Sequence, residues 1–297
     1  ILDLRGNTGG YMEVAINIID EFLEAGMPIV YTQGKSRPKK ESLATSKGIC
    51  IDNEVVVLID EQSASASEIL AGALQDNDRG TIIGRRSFGK GLVQEQTQFP
   101  DGSALRLTVA RYYTPTGRSI QKPYTNGLQE YYHEINDRYM NGEFMDADSI
   151  HFADSLKYTT PGGKTVYGGG GIMPDIFVPV DTSGMSDYFS DVRNKGLIYK
   201  YAFKFADDNR KLLNEFKNVE ELIQYLEDIN IVASFVNFAK EQGVKPVRKE
   251  IKFSRSNIDI LLKAHISRHI FNDDGFYPVI AEMDNTLQKA LEIINNK

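Results

Sequence analysis

Hydrophobic residues follow two different periods along this chain, and the period changes near residue 183. Before that point, short apolar runs are separated by polar or glycine-rich turns, the pattern typical of β-strands. We predict strands over residues 1–4, 28–31, 54–60, 81–84, 92–98 and 104–113. Residues 12–26 and 68–76 instead carry apolar side chains at helical spacing. This alternation of strand and helix predicts a mixed α/β fold with helices covering the sheet.

One strand is expected to lie at the centre of that sheet. The run Val-Val-Val-Leu-Ile over residues 55–59 is apolar throughout, as in a strand buried on both faces. The strands 92–98 and 104–113 flank a Pro-Asp-Gly turn signal and predict a hairpin. Residues 33–47 are polar and basic, and we predict that they form an exposed loop.

After residue 183 the pattern becomes helical. Residues 199–216, 219–240, 257–270 and 277–294 carry apolar side chains at helical spacing, with charged residues between them. The sequence therefore predicts a mainly helical C-terminal region, which carries no catalytic motif.

Composition and charge narrow the class of protein. The chain has 297 residues and a net charge of −7, so it has no electrostatic footprint for nucleic acid. The single cysteine, Cys50, excludes an internal disulfide and a cysteine metal cluster. No apolar run approaches the roughly 20 residues that a membrane-spanning helix needs. Because Ile1 already lies in a strand pattern, we interpret the sequence as a fragment whose N-terminus and any targeting signal lie upstream.

A turn rich in small residues follows the central strand. It contains three serines, Ser63, Ser65 and Ser67, at the point where the strand leads into a helix. Backbone N–H groups at such a helix start are unpaired and stabilise an anion. Lys90 lies further along, between two glycines, and can act as a base for a serine if burial favours its neutral form. Position alone does not decide among the three serines, and a capping turn with a solvated lysine fits the same pattern.

Several blocks of the chain resemble a known family. They are Ser-Ala-Ser-Ala-Ser-Glu-Ile at 63–69, Ala-Gly-Ala-Leu-Gln-Asp at 71–76 and Phe-Gly-Lys-Gly at 88–91 followed by Gln94. Together they are similar to the carboxyl-terminal processing (tail-specific) proteases, the S41-type serine endopeptidases with a Ser-Lys dyad. The resemblance implies a crotonase/ClpP-like S41 protease core and cleavage of proteins or peptides near their C-termini.

The resemblance also assigns roles to residues. It implies that Ser65 is the nucleophile, that Lys90 is the general base and that Gln94 orients the lysine. Glu68 and Asp76 occupy positions that support the site in the family. Two mild departures, Gln62 and Ser87, stand where the family more often has glycine and threonine, and neither touches the dyad.

A glycine-rich loop follows the first strand. The sequence Asp-Leu-Arg-Gly-Asn-Thr-Gly-Gly at 3–10 matches a block in which the family's glycines contribute an oxyanion donor. By that resemblance the candidates are Gly9 and Gly10, with Gly10 favoured, and the turn itself supplies the backbone N–H of Ser65 or Ala66. As a bare pattern, the loop could hold a phosphate, but it lacks the spacing of either nucleotide-binding motif and favours a plain tight turn.

The resemblance covers about residues 1–123 and 164–181. We therefore predict a protease core over 1–181 with an insertion at about 124–163, and a helical region over 182–297. In the family a PDZ domain precedes the core, and it is absent from this sequence. The resemblance implies a protein or peptide substrate and a periplasmic or cell-envelope location. It leaves open whether the protein is a homo-oligomer.

The sequence leaves two other functions open. A catalytically silent peptide-binding or scaffold relative would keep the fold, although the intact Ser65, Lys90 and Gln94 argue against lost chemistry. A crotonase-like enzyme acting on a thioester would need a coenzyme A site, for which the sequence shows no feature. His265 and His269 are four residues apart, but without a third ligand they do not predict a metal site, and no cofactor is expected.

Overall fold

The computed structural model describes residues 1–124 and 127–296, and these form two compact units. The first comprises residues 1–180 with 289–297, and the second comprises residues 181–288. The described part is rich in both strands and helices. Two residues of the predicted insertion, 125 and 126, lie outside the described residues, as does 297.

The first unit contains a four-stranded parallel sheet in the order β1-β4-β5-β10. Its strands are β1 (Leu2–Asp3), β4 (Val56–Ile59), β5 (Thr81–Gly84) and β10 (Ile176–Phe177). All four residues of β4 are at most 1% exposed, which explains its unbroken apolar sequence. Helices α1 (Met12–Asp20) and α2 (Ala66–Asp76) pack with this sheet into one apolar core. The predicted α/β class is confirmed.

A second, antiparallel sheet in the same unit has the order β3-β2-β7-β6. Its strands are β2 (Pro28–Gly34), β3 (Arg37–Leu43), β6 (Leu92–Gln98) and β7 (Ala104–Tyr113). The hairpin of β6 and β7 has the predicted bounds. The prediction of an exposed loop over 33–47 was wrong, because β3 lies there. Its residues are almost all exposed at the sheet edge, so burial imposes no apolar alternation on its sequence.

The segment after β7 adds a further helix and a small ribbon to the first unit. Helix α3 (Leu128–Met140) is followed by two short 3₁₀ turns at Ala147–Ser149 and Asp154–Leu156. Strands β8 (Lys157–Thr159) and β9 (Thr165–Tyr167) pair antiparallel.

The second unit is helical. Its elements are α4 (Asp187–Asn194), α5 (Leu197–Asp208), α6 (Arg210–Leu213), α7 (Val219–Asp228), α8 (Ile231–Glu241), α9 (Arg248–Phe253), α10 (Arg255–Phe271), α11 (Asp273–Ile280) and a 3₁₀ turn at Ala281–Met283. Helix α12 (Asn285–Asn295) ends the described chain. The predicted single helix over 219–240 is two helices, because Asn230 adopts the left-handed region with φ 50°. The predicted helical character is confirmed.

Candidate active site

Three loops meet at the carboxyl edge of the parallel sheet, where sites form in open α/β sheets. The loop after β1 is tied to the loop after β4, since Gly6 donates its N–H to Asp60 Oδ1 at 2.9 Å. Ser63 Oγ donates to the Leu4 carbonyl at 2.7 Å. The loop after β5 joins them, because Phe88 donates its N–H to the Ser63 carbonyl at 3.0 Å. Residues far apart in sequence therefore form one rigid edge.

Ser65 stands apart from the other two serines of the turn. Ser63 and Ser67 are buried, and their hydroxyls donate to the carbonyls of Leu4 and Asn7. Ser65 is half-buried and lines a cleft. Its backbone has φ 57° and ψ −114°, a strained conformation for a residue with a Cβ. A serine held in this way on a strand-to-helix turn has the geometry of a nucleophile elbow.

The glycine loop packs directly against this turn. A Cβ on Gly9 would lie 2.4 Å from the Ala64 carbonyl oxygen, and the φ of Gly9 is +86°, so only glycine fits. The N–H of Gly9 is engaged by Asn7 Oδ1 at 2.9 Å. Within the described part of the chain, the N–H groups of Gly10 and Ala66 have no hydrogen-bond partner, and both residues line the cleft beside Ser65. Two free backbone donors therefore belong to residues of the cleft that Ser65 lines.

Glu68 connects the turn over residues 63–67 (the serine turn) to the loop over residues 88–91 (the lysine loop). Its Oε2 accepts the backbone N–H of Ser65 at 2.9 Å and that of Lys90 at 2.8 Å. Because both nitrogens bind one oxygen atom, the backbones of the two residues are held within two hydrogen-bond lengths of each other. The Oε1 atom accepts the Ser87 hydroxyl at 2.5 Å and the Gly89 N–H at 2.7 Å.

The Glu68 carboxylate is 1% exposed. Burial raises its pKa, while the four donors act in the opposite direction. An ionised carboxylate has about four lone-pair positions, and the four donors occupy all of them. We call this arrangement of Glu68 with the donors of Ser65, Ser87, Gly89 and Lys90 the clamp.

Tyr112 on β7 closes the same junction from the other side. Its phenol donates to the Lys90 carbonyl at 2.7 Å and lies 3.1 Å from the Ser65 carbonyl oxygen. The side chain is 1% exposed, and burial together with the nearby Glu68 charge raises the pKa of the phenol well above its usual range. Tyr112 therefore stays a neutral donor and fixes the separation of the two loops.

Lys90 and Gln94 lie at the meeting point of two clefts. Lys90 is half-buried, and both residues line a cleft of about 590 Å³ that holds Ser65 and a larger groove of about 1110 Å³. The Gln94 side chain is exposed, and its described hydrogen bond runs from Nε2 to Thr108 Oγ1 at 3.5 Å rather than to Lys90. The expected orientation of Lys90 by Gln94 thus stays a prediction.

Asp76 lies at the opposite end of helix α2 from Ser65. It is fully buried and forms an ion pair with the fully buried Arg118 at 2.7 Å. It also accepts the Thr116 hydroxyl at 2.6 Å. Asp76 therefore fixes the turn after β7 and does not contact the Ser65 end of the helix.

The described residues contain neither a metal-ligating cluster nor a helix that could span a membrane. Among residues 1–124 and 127–296 there is no cluster of three or more metal-ligating side chains. His265 and His269 share a face of α10 and contact the Tyr199 ring. Within the same described ranges, no helix is both long and apolar enough to cross a bilayer.

Sequence reasoning missed several residues that build the site. Glu68 was placed in support, but its bond to Lys90 was not foreseen, and Tyr112 and Arg138 were not singled out. Arg138 on α3 donates to the carbonyls of Arg86 and Ser87 at 2.6 and 3.0 Å, just before the lysine loop. These contacts span tens of residues and leave no local pattern in the sequence.

Comparison with known proteins gives two family matches. The profile of peptidase family S41 matches residues 1–130, and a family of unknown function, DUF8443, matches residues 188–272. A carboxy-terminal-processing protease of Bartonella bacilliformis is 50% identical over 122 residues, which are 41% of this chain and 28% of the relative. The carboxy-terminal processing protease CtpA of Bacillus subtilis is 36% identical over 151 residues, which are 51% of this chain and 32% of the relative.

A solved structure, the photosystem II D1 C-terminal processing protease, is 40% identical over 40% of this chain and 31% of its own, with a TM-score of 0.38. The matched segment spans about a third or less of these relatives' lengths. Residues 1–130 of this chain match the profile of peptidase family S41 and are similar in sequence to these proteases. The curated relatives matched by this segment are carboxyl-terminal processing proteases, and the resemblance read from the sequence is confirmed.

Proposed function

We propose that this chain carries the catalytic segment of a serine endopeptidase that cleaves proteins or peptides near their C-termini. Ser65 is the nucleophile and Lys90 the general base. The observation that carries the proposal is the strained Ser65 backbone, whose N–H shares one Glu68 oxygen with the N–H of Lys90. Strain at a single non-glycine residue persists where the surrounding contacts fix it, and such residues concentrate at functional sites.

The reaction follows from this arrangement. Neutral Lys90 takes the proton of the Ser65 hydroxyl as Oγ forms a bond to the scissile carbonyl carbon. The N–H groups of Gly10 and Ala66 stabilise the resulting oxyanion, and loss of one such donor typically costs about 3 kcal/mol. As the carbon–nitrogen bond breaks, Lys90 passes its proton to the leaving amine. Lys90 then takes a proton from water as the water oxygen forms a bond to the ester carbonyl carbon. When the bond from that carbon to Ser65 Oγ breaks, Lys90 returns the proton to Oγ.

The remaining roles belong to the same proposal. Glu68 and Tyr112 hold the two loops in register, and Asp76 supports the neighbouring turn. Gln94 orients the Lys90 ammonium. Residues 1–181 form the protease core, with an insertion at about 124–163, and residues 182–297 form a mainly helical C-terminal region. A periplasmic or cell-envelope location rests on the family alone, and a homo-oligomer is compatible with it.

The test is cleavage of an unfolded protein by the parent chain, Ser65→Ala and Lys90→Ala between pH 6 and 9. We expect cleavage by the parent that rises with pH, and a loss of roughly 10³-fold or more in both variants. Ser67→Ala is the matched control, since its hydroxyl is bonded to the Asn7 carbonyl. Cleavage by Ser65→Ala at the parent rate would refute the nucleophile, and a flat pH profile would count against the lysine.

The alternative is a catalytically silent peptide-binding or scaffold relative. It is favoured if the parent chain does not cut but still binds the unfolded protein. The free N–H groups beside Ser65 fit a bound carbonyl in either case, so cleavage decides between the two.

A further inference from the structure

The larger groove beside Lys90 has a composition that the proposed chemistry does not explain. It is about 1110 Å³ in volume and is lined mainly by aromatic and aliphatic side chains. These include Phe88, Leu92, Leu128, Tyr131, Tyr132 and Ile135. Four of the six belong to helix α3, in the segment that the sequence marked as an insertion. This helix thus forms one wall of a groove that opens on the proposed base.

Buried charged contacts hold that wall in place. Lys122 is 3% exposed, pairs with Glu134 of α3 at 2.8 Å and lies over the Phe88 ring at 3.9 Å. At the other end of the helix, Arg138 donates to two backbone carbonyls of the segment 86–87. Because this segment leads directly into Phe88 and Lys90, the wall and the lysine loop are fixed to one another.

The groove shares part of its lining with the Ser65 cleft. Lys90, Leu92, Gln94 and Arg106 line both spaces. Strand β6, which carries Leu92 and Gln94, is at the end of its sheet and pairs with β7 alone among the described strands. An open strand edge binds an extended polypeptide by main-chain hydrogen bonds. A polypeptide paired with β6 therefore passes Lys90 and projects side chains into the groove.

Charge limits which side chains fit. Four cationic side chains line the groove, and Lys122 is paired with Glu134, which leaves Lys90, Arg106 and Arg111. Glu61, which also lines it, is paired with Arg85 at 2.7 Å. A lysine or arginine side chain would meet like charge and lose its hydration, whereas a large apolar side chain buries surface against the aromatic wall.

We propose that the α3 groove is a specificity subsite that selects an extended polypeptide with a large apolar side chain next to the scissile bond. This inference rests on the proposed peptidase function for the bond that is cut, and on the groove itself for the preference.

The matched variants lie on one helix. Tyr132 lines the groove and is 60% exposed, whereas Tyr139 is 54% exposed and lies outside the groove lining. Both should accept substitution by glutamate with little effect on folding, which thermal unfolding checks.

The first measurement maps cleavage sites in an unfolded protein by mass spectrometry. We expect large apolar residues beside the cut bonds of the parent and of Tyr139→Glu. Tyr132→Glu should lose this preference and gain cuts beside lysine and arginine. Unchanged cut sites in Tyr132→Glu would overturn the proposal.

A second measurement separates failure of the groove from failure of the chemistry. The Ser65→Ala chain is titrated with two blocked hexapeptides, one with phenylalanine and one with lysine at the third position and alanine elsewhere. We expect roughly 10-fold or tighter binding of the phenylalanine peptide, lost on adding Tyr132→Glu and kept on adding Tyr139→Glu. Equal binding of the two peptides, or no binding of either, would overturn the groove even if the parent cleaves. The expected binding with no cleavage by the parent would refute the peptidase and leave the groove standing.

Discussion

The two units of this chain bury different kinds of side chain. The first unit encloses charged groups in its interior, namely Glu68, Asp76, Arg86, Arg118, Lys122 and Arg138. Among the described residues of the second unit, Lys263 is the single buried charged side chain, and the remaining buried polar residues are the uncharged Ser254, Ser267 and Thr286. Buried charges are costly unless paired and concentrate where a protein needs exact positions. The first unit is therefore held in part by buried, paired charges that fix side-chain positions, whereas the second is held mainly by hydrophobic packing.

The largest expected effect comes from breaking the buried pair at the far end of α2. Asp76→Ala leaves Arg118 buried without its carboxylate partner, and we expect a loss of about 3–5 kcal/mol in the free energy of unfolding. Chemical denaturation of the first unit measures it. The double variant Asp76→Leu/Arg118→Met is the control, since removing both charges restores much of the stability. A single variant as stable as the parent would contradict the importance of the pair.

In the second unit the corresponding test removes an apolar side chain. Leu226 on α7 is fully buried in the helical core, so Leu226→Ala should cost about 3 kcal/mol. Ile229, just after α7, is 38% exposed, and Ile229→Ala should cost far less. The helical circular dichroism signal during thermal unfolding measures both losses. Equal losses in the two variants would show that this core does not stabilise the unit.

A smaller stability effect with a larger effect on activity is expected at Glu68. Glu68→Gln replaces one accepting oxygen by a donor amide that faces backbone donors, which should cost about 2 kcal/mol. It should also lower cleavage by at least roughly 10-fold, because the Ser65 and Lys90 loops lose their shared oxygen. Glu95→Gln is the control, since Glu95 forms an exposed ion pair with Arg37. If Glu68→Gln cuts as fast as the parent, the clamp is not needed for catalysis.

The smallest effect is a pH dependence of the helical unit. Burial and the neighbouring Arg268 lower the pKa of His265, and burial with Arg210 and Arg268 lowers that of His269. The unfolded chain therefore binds protons at higher pH than the folded chain. Stability is complete above the ordinary histidine pKa and falls as pH drops from there towards the lowered values. Melting curves between pH 5 and 8 measure this, and His265→Asn should flatten the dependence, whereas an unchanged slope would contradict it.

Much of the fold was readable because local pattern and tertiary environment agree. Strand β4 is buried on both faces and reads as continuously apolar, and β6 and β7 have the bounds that their turn signal predicted. Strand β3 was missed because an exposed edge strand needs no apolar alternation. The break at Asn230 was missed because the apolar spacing continues across it.

The residues of the candidate site also fall into those that the sequence predicts and those that it does not. Ser65, Lys90 and the glycine loop were identifiable because they lie in short contiguous motifs. The contacts that join them were not, since Glu68 reaches a loop 22 residues away and Tyr112 reaches both. Such partners are chosen by tertiary packing and leave no spacing rule in the sequence.

The most direct test of the account is whether the Ser65 hydroxyl itself reacts as a nucleophile with an electrophilic probe. The parent chain is treated with a fluorophosphonate, which forms a serine–phosphorus bond and releases fluoride, and the modified peptide is located by mass spectrometry. We predict a single adduct on Ser65 that forms faster as pH rises and is strongly reduced in Lys90→Ala. An adduct on Ser63 or Ser67, or equal labelling of Lys90→Ala, would contradict the Ser65–Lys90 dyad.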